Sequence, residues 1–359
     1  MNRFRSDQNG RPTRCSACWI CGVAVIALCF GDAASAAAET PSPPTCHMLE
    51  IGEIPIAYHD GQITLDADVD GHPARMVVDT GSAATIMSRE AATEFGLKTR
   101  GFHDVKFYGV GGIDTAELAR VEKFSVAGLA ARNFEMVVTG RHGLGDAKGL
   151  IGAGFLLQAD VEFDVPEGKL RFFQPRNCRG DQVVYWGSTY SVASITNAAT
   201  VQKIDVTVHV NGNAVQAEMD TGSDRTVVTP GVAYHAGVTE KSPGAVDGGV
   251  TFGIGAQAVK TYSGVFQSFA FGDEVIKNAR LQVADLFHAD QEVELGSRLA
   301  RATIEEPQML LGADFFRSHR VYVAMGQRKV YVSYMGGPVF KTVTVDQTAT
   351  PKAGQASGK

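Results

Sequence analysis

The order of apolar and polar residues along the chain predicts β-strands, and the same order occurs twice. Residues 63–69 (ITLDADV) and 204–210 (IDVTVHV) alternate apolar and polar side chains, which is the period of a strand with one buried face. An Asp-Gly or Asn-Gly pair follows each run and is typical of a two-residue hairpin turn. A second strand is then predicted to return and to end at Asp79 or Asp220. Each half of the chain is therefore predicted to begin with a hairpin that ends on a carboxylate.

The similarity between the two halves extends well beyond these hairpins. The matched segments are residues 63–97 with 204–238, 107–112 with 251–256, and 149–156 with 309–316. Asp79 falls on Asp220 in the first pair, the second pair is a glycine-rich tip, and the third carries a Leu-Ile-Gly or Leu-Leu-Gly segment. Repetition of this kind indicates a duplicated structural unit.

The repeat predicts an all-β protein with two lobes in one chain, related by pseudo-two-fold symmetry. The predicted boundaries are residues 46–176 for the N-terminal lobe, 177–200 for a polar linker, 201–336 for the C-terminal lobe, and 337–359 for a final strand fragment and a disordered tail. A site formed by matched residues is expected between the lobes.

The first 37 residues differ from the rest of the chain. Four arginines precede an apolar run at residues 19–30, and Ala34-Ser35-Ala36 supplies small residues of the kind that precede a signal-peptidase cut. The run is shorter than the roughly 20 apolar residues that span a bilayer. Residues 1–37 are therefore predicted to be a signal peptide of a periplasmic or secreted protein. An uncleaved anchor at residues 19–30 is the alternative, and only then is the membrane a partner.

Cysteine usage agrees with export. Only Cys46 and Cys178 lie outside the predicted signal peptide, and they flank the N-terminal lobe. In an oxidising compartment one disulfide could join the two ends of that lobe, and two unpaired thiols are the alternative.

Composition and motifs exclude several classes of function. The formal charge of −6 and the lack of long Lys/Arg runs argue against nucleic acid as a partner. The nine histidines include no His-Glu-x-x-His spacing, so no metal is predicted. No strand-loop-helix unit surrounds the glycine-rich segments, which argues against dinucleotide binding. No cofactor is therefore expected.

The two matched aspartates predict a shared site. A two-fold arrangement of the halves would bring Asp79 and Asp220 together at the interface. Like charges about 3 Å apart resist joint ionisation, so one carboxyl keeps a proton while the other remains a base. Water held between them could lose a proton to the carboxylate and attack an amide carbon, while the protonated carboxyl donates to the carbonyl oxygen.

The Asp-Thr-Gly-Ser motifs at residues 79–82 and 220–223, each followed by a hydrophobic-hydrophobic-Gly segment, resemble the pepsin and retropepsin superfamily of aspartic peptidases. The chain is most similar to two retropepsin-like lobes joined in tandem, of an exported bacterial type. The resemblance implies that Asp79 and Asp220 are catalytic and that the two threonines cross-link the Asp loops. Glycine turns and hydroxyls are expected to orient the carboxyls. The supporting residues are Thr80, Gly81, Ser82, Thr221, Gly222 and Ser223.

The glycine-rich tips resemble retroviral protease flaps, which close over an extended substrate. The substrate-binding residues implied are Tyr108, Gly109, Val110, Gly111 and Gly112 in the first half, and Phe252, Gly253, Ile254 and Gly255 in the second. Asp224 is implied to contact the substrate backbone, because it extends the retropepsin D-T-G-x-D-x-T pattern. Ala83 takes that place in the first half, so these contacts are expected to be unequal.

The sequence thus predicts an aspartic endopeptidase that acts on a peptide or protein substrate in extended conformation. Both lobes lie in one chain, so a monomer is expected to be competent. The alternative is a catalytically silent peptide-binding or scaffold module with the same fold. Retention of both aspartates, both threonines and both flaps favours the enzyme, since binding alone requires no shared proton.

Overall fold

The computed structural model describes residues 45–109, 112–140, 144–187, 189–198, 202–251, 258–286 and 306–342. The predicted signal peptide lies outside these residues, as does the predicted tail from residue 343 onward. The described residues form three β-sheets connected by short helices and turns. The fold is all-β with two closed barrels in tandem, as the sequence repeat predicts.

The N-terminal lobe is a sheet closed by an extra pairing. The elements up to the second lobe are β1 (His47–Pro55), β2 (Ala57–His59), β3 (Gln62–Val69), β4 (His72–Asp79), β5 (Ile86–Ser88), α1 (Arg89–Glu94), β6 (Thr99–Gly109), β7 (Gly112–Val126), β8 (Leu129–Thr139), β9 (Gly149–Gly152), α2 (Ala153–Leu156), β10 (Asp160–Asp164), β11 (Lys169–Arg176) and β12 (Ser191–Ser194). Eight of these strands form the lobe sheet in the order β2-β3-β4-β9-β5-β8-β7-β6. Pairing of β3 with β7 closes it into a barrel.

The C-terminal lobe repeats this arrangement. Its elements are β13 (Asp205–Val210), β14 (Asn213–Met219), β15 (Val227–Val228), α3 (Pro230–His235), β16 (Val246–Thr251), β17 (Val259–Phe271), β18 (Glu274–Ala284), β19 (Met309–Leu311), α4 (Ala313–Phe316), β20 (His319–Ala324), β21 (Lys329–Tyr334) and β22 (Lys341–Thr342). The sheet order is β16-β17-β13-β14-β19-β15-β18-β22, and β17 also pairs with β18. Short 3-10 turns cover Val165–Glu167, Gly180–Val183 and Met325–Gln327.

The predicted hairpins are present and have the predicted turns. The central residues of the β3–β4 turn are Asp70 and Gly71, with φ of 53° and 87°. Those of the β13–β14 turn are Asn211 and Gly212, with φ of 49° and 81°. Positive φ at both central positions matches the right-handed twist of the strands, which is why Asp-Gly and Asn-Gly occur here.

The alternating residues supply the cores of the barrels. Ile63, Leu65 and Val69 of β3, and Val206 and Val208 of β13, are each at most 2% exposed. One face of each strand is therefore removed from water, which is the main favourable term in folding.

A third sheet joins the lobes and has the order β1-β11-β10-β20-β21-β12. Its central pair, β10 and β20, takes one strand from each lobe and runs antiparallel. Beside it the rings of Phe163 and Phe316 meet edge to face, with centroids 5.4 Å apart. The lobes therefore share hydrogen bonds and apolar contacts, which hold their loops at a defined separation.

The segment between the lobes is partly ordered into this shared sheet. Within residues 177–200, strand β12 pairs with β21, and a disulfide links Cys46 to Cys178. Of the two alternatives for these cysteines, the structure therefore has the bonded one. The disulfide holds the start of β1 next to the end of β11.

The final strand fragment expected near residue 337 is present. Strand β22 pairs with β18, and the buried ring of Phe340 packs edge to face on Phe269 with centroids 5.2 Å apart. None of the helices in the described residues combines the length and the apolar character needed to cross a membrane.

Candidate active site

Each Asp loop is held above a glycine of the strand beneath it. Strand β4 runs parallel to β9, and the register places Asp79 next to Gly152. A Cβ on Gly152 would overlap the backbone of the loop that follows Asp79, and a Cβ on Gly312 would lie 2.5 Å from the Arg225 carbonyl in the second lobe. Only glycine allows this close approach. The glycine of each hydrophobic-hydrophobic-Gly segment is therefore the residue that lets the Asp loop pack on the strand beneath it.

The two loops are joined by threonines at the lobe boundary. The Thr80 amide donates to Thr221 Oγ1 and the Thr221 amide donates to Thr80 Oγ1, both at 3.0 Å. Thr80 Oγ1 in turn donates to the Met219 carbonyl oxygen at 2.6 Å, and Thr221 Oγ1 donates to that of Val78 at 2.7 Å. Both threonines are buried. Four reciprocal hydrogen bonds therefore fix the loops against each other, in the geometry that the resemblance implies.

The aspartates meet across the same boundary. Each carboxyl shifts the pKa of the other, so the two side chains lie within interaction distance. A Cβ on Gly81 would lie 2.5 Å from Asp220 Oδ1, and one on Gly222 would overlap the Asp79 carboxyl. Each carboxyl therefore lies against the glycine of the opposite loop, a position that a larger residue would close.

Backbone amides orient the carboxyls. Asp79 Oδ1 accepts hydrogen bonds from the amides of Gly81 at 2.9 Å and Ser82 at 3.0 Å, and Asp220 Oδ1 accepts one from the amide of Gly222 at 2.9 Å. Such bonds favour the ionised form and fix its direction.

The serine hydroxyls differ from the expectation that they orient the carboxyls. Ser82 Oγ donates to the Ala84 carbonyl oxygen at 3.0 Å, and Ser223 Oγ donates to that of Arg225 at 2.8 Å. These bonds close the turns behind the aspartates. The serines support the site through loop shape, because a short polar side chain finds its nearest acceptor within its own turn.

The electrostatics of the pair follow from burial and proximity. Burial raises the pKa of the Asp79 carboxyl well above its usual value, and repulsion by Asp220 raises it further, against the amides of Ser82 and Gly81. Burial also raises the pKa of Asp220, while the Gly222 amide and the adjacent Asp79 carboxyl lower it. The pair therefore keeps a proton at a pH at which an exposed aspartate has lost its own.

The described part of the flap regions consists of two hairpins. In the first lobe β6 and β7 pair up to Gly109 and Gly112, and Tyr108 lies one residue before the end of β6. In the second lobe β16 and β17 pair up to Thr251 and Val259. The remaining predicted flap residues, Val110, Gly111, Phe252, Gly253, Ile254 and Gly255, lie outside the described residues. Their contact with substrate stays a prediction.

Asp224 lies at the surface on the side of the second Asp loop. It forms an ion pair with Arg225 at 3.5 Å, and a Cβ on Gly61 of the first lobe would lie 2.9 Å from Asp224 Cβ. The structure therefore places this residue at a lobe–lobe contact near the dyad. The corresponding position in the first lobe carries Ala83.

Two further carboxylates near the site were not predicted. Glu218, two residues before Asp220, is buried beside Lys203 Nζ at 2.8 Å, and burial raises its pKa to about 7. Asp314 accepts hydrogen bonds from Thr226 at 2.6 and 2.9 Å, and burial raises its pKa to about 6. The aligned positions in the first half carry Val77 and Gly154. A carboxylate in one half of the repeat where the other half has an uncharged residue was the sequence signal that could have identified Glu218 and Asp314.

Comparison with known proteins adds a family to this geometry. A sequence model described as Aspartyl protease matches residues 65–155 and 206–315, one match in each lobe and together more than half of the chain. No curated protein matches the chain significantly. The crystal structure of aspartic proteinase from Irpex lacteus is similar, with a TM-score of 0.47 and 12% sequence identity, over 79% of this chain and 97% of that one. The chain belongs to the aspartyl protease family, whose members are hydrolases.

Proposed function

We propose that the protein is an aspartic endopeptidase in which Asp79 and Asp220 together hydrolyse peptide bonds of an extended substrate. The observation that carries this proposal is that each Asp carboxyl lies against the glycine of the opposite Asp loop, at a boundary closed by the reciprocal hydrogen bonds of Thr80 and Thr221. Both side chains are half-buried, so they combine a desolvated setting with access from outside.

The proposed reaction uses one shared proton. Burial raises the pKa of both carboxyls and their repulsion prevents joint ionisation, so the pair shares one proton; we write the reaction with that proton on Asp79 and with Asp220 as the base. Asp220 takes a proton from a water molecule whose oxygen attacks the amide carbon, while Asp79 donates its proton to the carbonyl oxygen. The tetrahedral intermediate then loses the amine as the nitrogen takes the proton from Asp220, and Asp79 recovers a proton from a hydroxyl of the intermediate.

The surrounding residues support this reaction by positioning. The amides of Gly81, Ser82 and Gly222 hold the carboxyl oxygens, and the threonine hydrogen bonds keep the loops from separating. We infer that the β6–β7 and β16–β17 hairpins act as flaps over the substrate. Preorganisation of this kind lowers the barrier because the groups need not rearrange during reaction.

The test is cleavage of a mixed peptide library from pH 3 to 7 by the wild type, Asp79→Asn and Asp220→Asn. Each variant is expected to lose activity by about a hundredfold or more, since it removes the acid–base pair. Asp66→Asn, a change at an exposed position of β3, is the matched control and should leave cleavage unchanged.

Two outcomes would contradict the proposal. Equal cleavage by all four proteins would show that the aspartates are not the catalytic groups. Peptide binding without cleavage by any of them would favour the peptide-binding module.

We also propose that the mature protein is exported and acts as a monomer. Export is supported by the signal-like residues 1–37 and by the Cys46–Cys178 disulfide, which persists in oxidising compartments. The monomer is supported by the presence of both Asp loops in one chain. N-terminal sequencing of the protein from the producing cell and sedimentation of the active fraction test these two proposals. An intact residue 1 or activity confined to a dimer would contradict them.

A further inference from the structure

A cavity of about 200 Å³ lies between the lobes beside the second Asp loop. The first lobe contributes Tyr58, from the hairpin of β2 and β3, and the second contributes Arg280, Asp314 and Arg317. Tyr58 and Arg317 line the cavity from opposite lobes. The cavity is therefore built from both halves of the protein, as the dyad is.

The cavity lies within reach of a substrate bound at the dyad. Its lining includes Asp224, four residues along the chain from Asp220. Four residues span at most about 14 Å, and an extended peptide advances roughly 3.3 Å per residue. A substrate side chain within about four positions of the scissile bond can therefore reach the part of the cavity beside Asp224.

Three arginines and three aspartates line the cavity, and their pairing differs. The Arg280 guanidinium donates to the Gly244 carbonyl oxygen at 2.9 Å and forms no ion pair with a carboxylate of the described residues. Arg317 donates to the Pro338 carbonyl oxygen at 3.0 and 3.2 Å. The carboxylates of the lining are Asp60, Asp224 and Asp314. Arg280 and Arg317 are therefore the guanidinium groups of the lining that form no ion pair among the described residues.

The charge of Asp314 depends on pH. Burial raises its pKa to about 6, against the Thr226 hydrogen bonds and the Arg317 charge, so the carboxyl is neutral below that pH. The charged and titratable groups lining the same cavity are Tyr58, Asp60, Asp224, Arg225, Arg280 and Arg317. Asp224 is paired with Arg225 at 3.5 Å, and the Asp60 side chain is 91% exposed, so water and salt screen its charge from Arg280 and Arg317.

The first lobe has no such arrangement. The positions that correspond to Asp224, Arg225, Asp314 and Arg317 carry Ala83, Ala84, Gly154 and Leu157. The strand register aligns Arg280 with Glu135, which is already paired with Arg100 at 2.8 Å. The two sides of a pseudo-symmetric cleft therefore differ, and only one offers unpaired guanidinium groups among the described residues.

We propose that this cavity binds an acidic side chain of the substrate, a glutamate or aspartate within about four residues of the scissile bond. Arg280 and Arg317 bind its carboxylate and are specificity-determining residues. The inference rests on the proposed endopeptidase function and adds a substrate class to it. Because the charge lies on one side of the dyad, it also sets the direction in which the peptide lies in the cleft.

The test uses pairs of peptides that are identical except for Glu or Gln, with the variable residue placed in turn at each of four positions on both sides of the cut. At pH 5, where a glutamate side chain is mostly ionised, the wild type is expected to prefer Glu by about tenfold or more in kcat/KM, on one side of the cut only. Arg280→Gln should bring the Glu/Gln ratio to within about twofold of one, and Arg280→Lys should keep part of the preference. Arg132→Gln, an exposed arginine of β8, is the matched control and should not change the ratio.

The pH dependence supplies a second readout. In the wild type the Glu/Gln ratio should fall from pH 5 to 7 as Asp314 ionises and repels the substrate carboxylate. Asp314→Asn keeps an oxygen for the Thr226 hydrogen bonds and should retain the ratio at pH 7. A ratio in Asp314→Asn that falls as in the wild type would contradict this part of the inference.

Failure of this inference is distinct from failure of the proposed function. Cleavage with no Glu preference at any position, a preference for Lys in a third peptide set, or an unchanged ratio in Arg280→Gln would overturn the inference alone. Absence of all cleavage would overturn the endopeptidase. In that case the specificity of the cavity is tested by calorimetry, which measures the affinity of the Glu and Gln peptides for the wild type and for Arg280→Gln. Equal affinities of the wild type for both peptides would overturn the inference.

Discussion

Replacing Thr80 by valine tests whether the hydrogen bonds between the Asp loops hold the lobes together. Valine keeps the shape of threonine but removes the hydroxyl. That hydroxyl donates to the Met219 carbonyl oxygen at 2.6 Å and accepts from the Thr221 amide at 3.0 Å, and Thr80 is 0% exposed. The change therefore leaves one carbonyl and one amide buried without a partner.

The magnitude follows from these two groups. Leaving a buried polar group unpaired costs about 1–3 kcal/mol, so the two together cost about 2–6 kcal/mol. Burial of the methyl group that replaces the hydroxyl regains at most about 1 kcal/mol. We therefore expect the free energy of unfolding to fall by about 2–5 kcal/mol. Thr80→Ser keeps the hydroxyl and loses one methyl, so its loss should be about 1 kcal/mol.

The assay is urea unfolding of the wild type and both variants at pH 5, followed by their peptidase activity. Thr80→Val should lower the midpoint more than Thr80→Ser at an unchanged urea dependence, and should reduce kcat because the dyad is no longer held in position. In the double variant with Thr221→Val the losses should not add, since the two hydroxyls lie 3.4 Å apart and join the same two loops. Equal stability and activity of the valine and serine variants would refute the reasoning.

Three other predictions concern stability. Burial raises the pKa of Glu218 from 4.5 to about 7, so the folded protein holds a proton there that the unfolded chain releases. Stability should fall as pH rises through that window, and Glu218→Gln should flatten the fall in urea midpoints; an equally steep fall would contradict this. Cys46→Ser removes the disulfide to Cys178, which spans 132 residues, and should lower the free energy of unfolding by about 2–5 kcal/mol in the same assay. An unchanged urea midpoint would mean that β1 is held in place without the disulfide. Gly312→Ala places a Cβ within 2.5 Å of backbone atoms and should lower the free energy of unfolding by about 1–3 kcal/mol. Gly326→Ala is the control, because its Cβ would meet no atom within 4 Å. Equal effects of the two variants would count against the steric argument.

Local patterns made much of the fold predictable. The alternation in β3 and β13 and their turns depend on residues close together in the chain, and both hairpins are present in the structure. The repeat then made two lobes the simplest arrangement. The strand at Ser191–Ser194 was not predicted, because a four-residue strand in a polar segment gives no sustained period.

The candidate site was predictable as a set of residues but only partly as a geometry. The Asp-Thr-Gly-Ser motifs identified Asp79, Asp220 and both threonines. They did not show that the serine hydroxyls donate within their own turns, since that choice depends on which acceptor the folded loop places nearest.

By itself the sequence determined that this protein has two similar β-lobes and two matched carboxylates, because period, turn chemistry and repetition are carried by neighbouring residues. Only the tertiary structure decided that each carboxyl lies against the opposite Asp loop, that burial raises the pKa of Glu218 and Asp314, and that Arg280 and Arg317 line a cavity on one side of the lobe boundary. These properties depend on desolvation and on charges brought together from distant parts of the chain. The pairing of β10 with β20 brings the lobes into contact, and so brings these groups together.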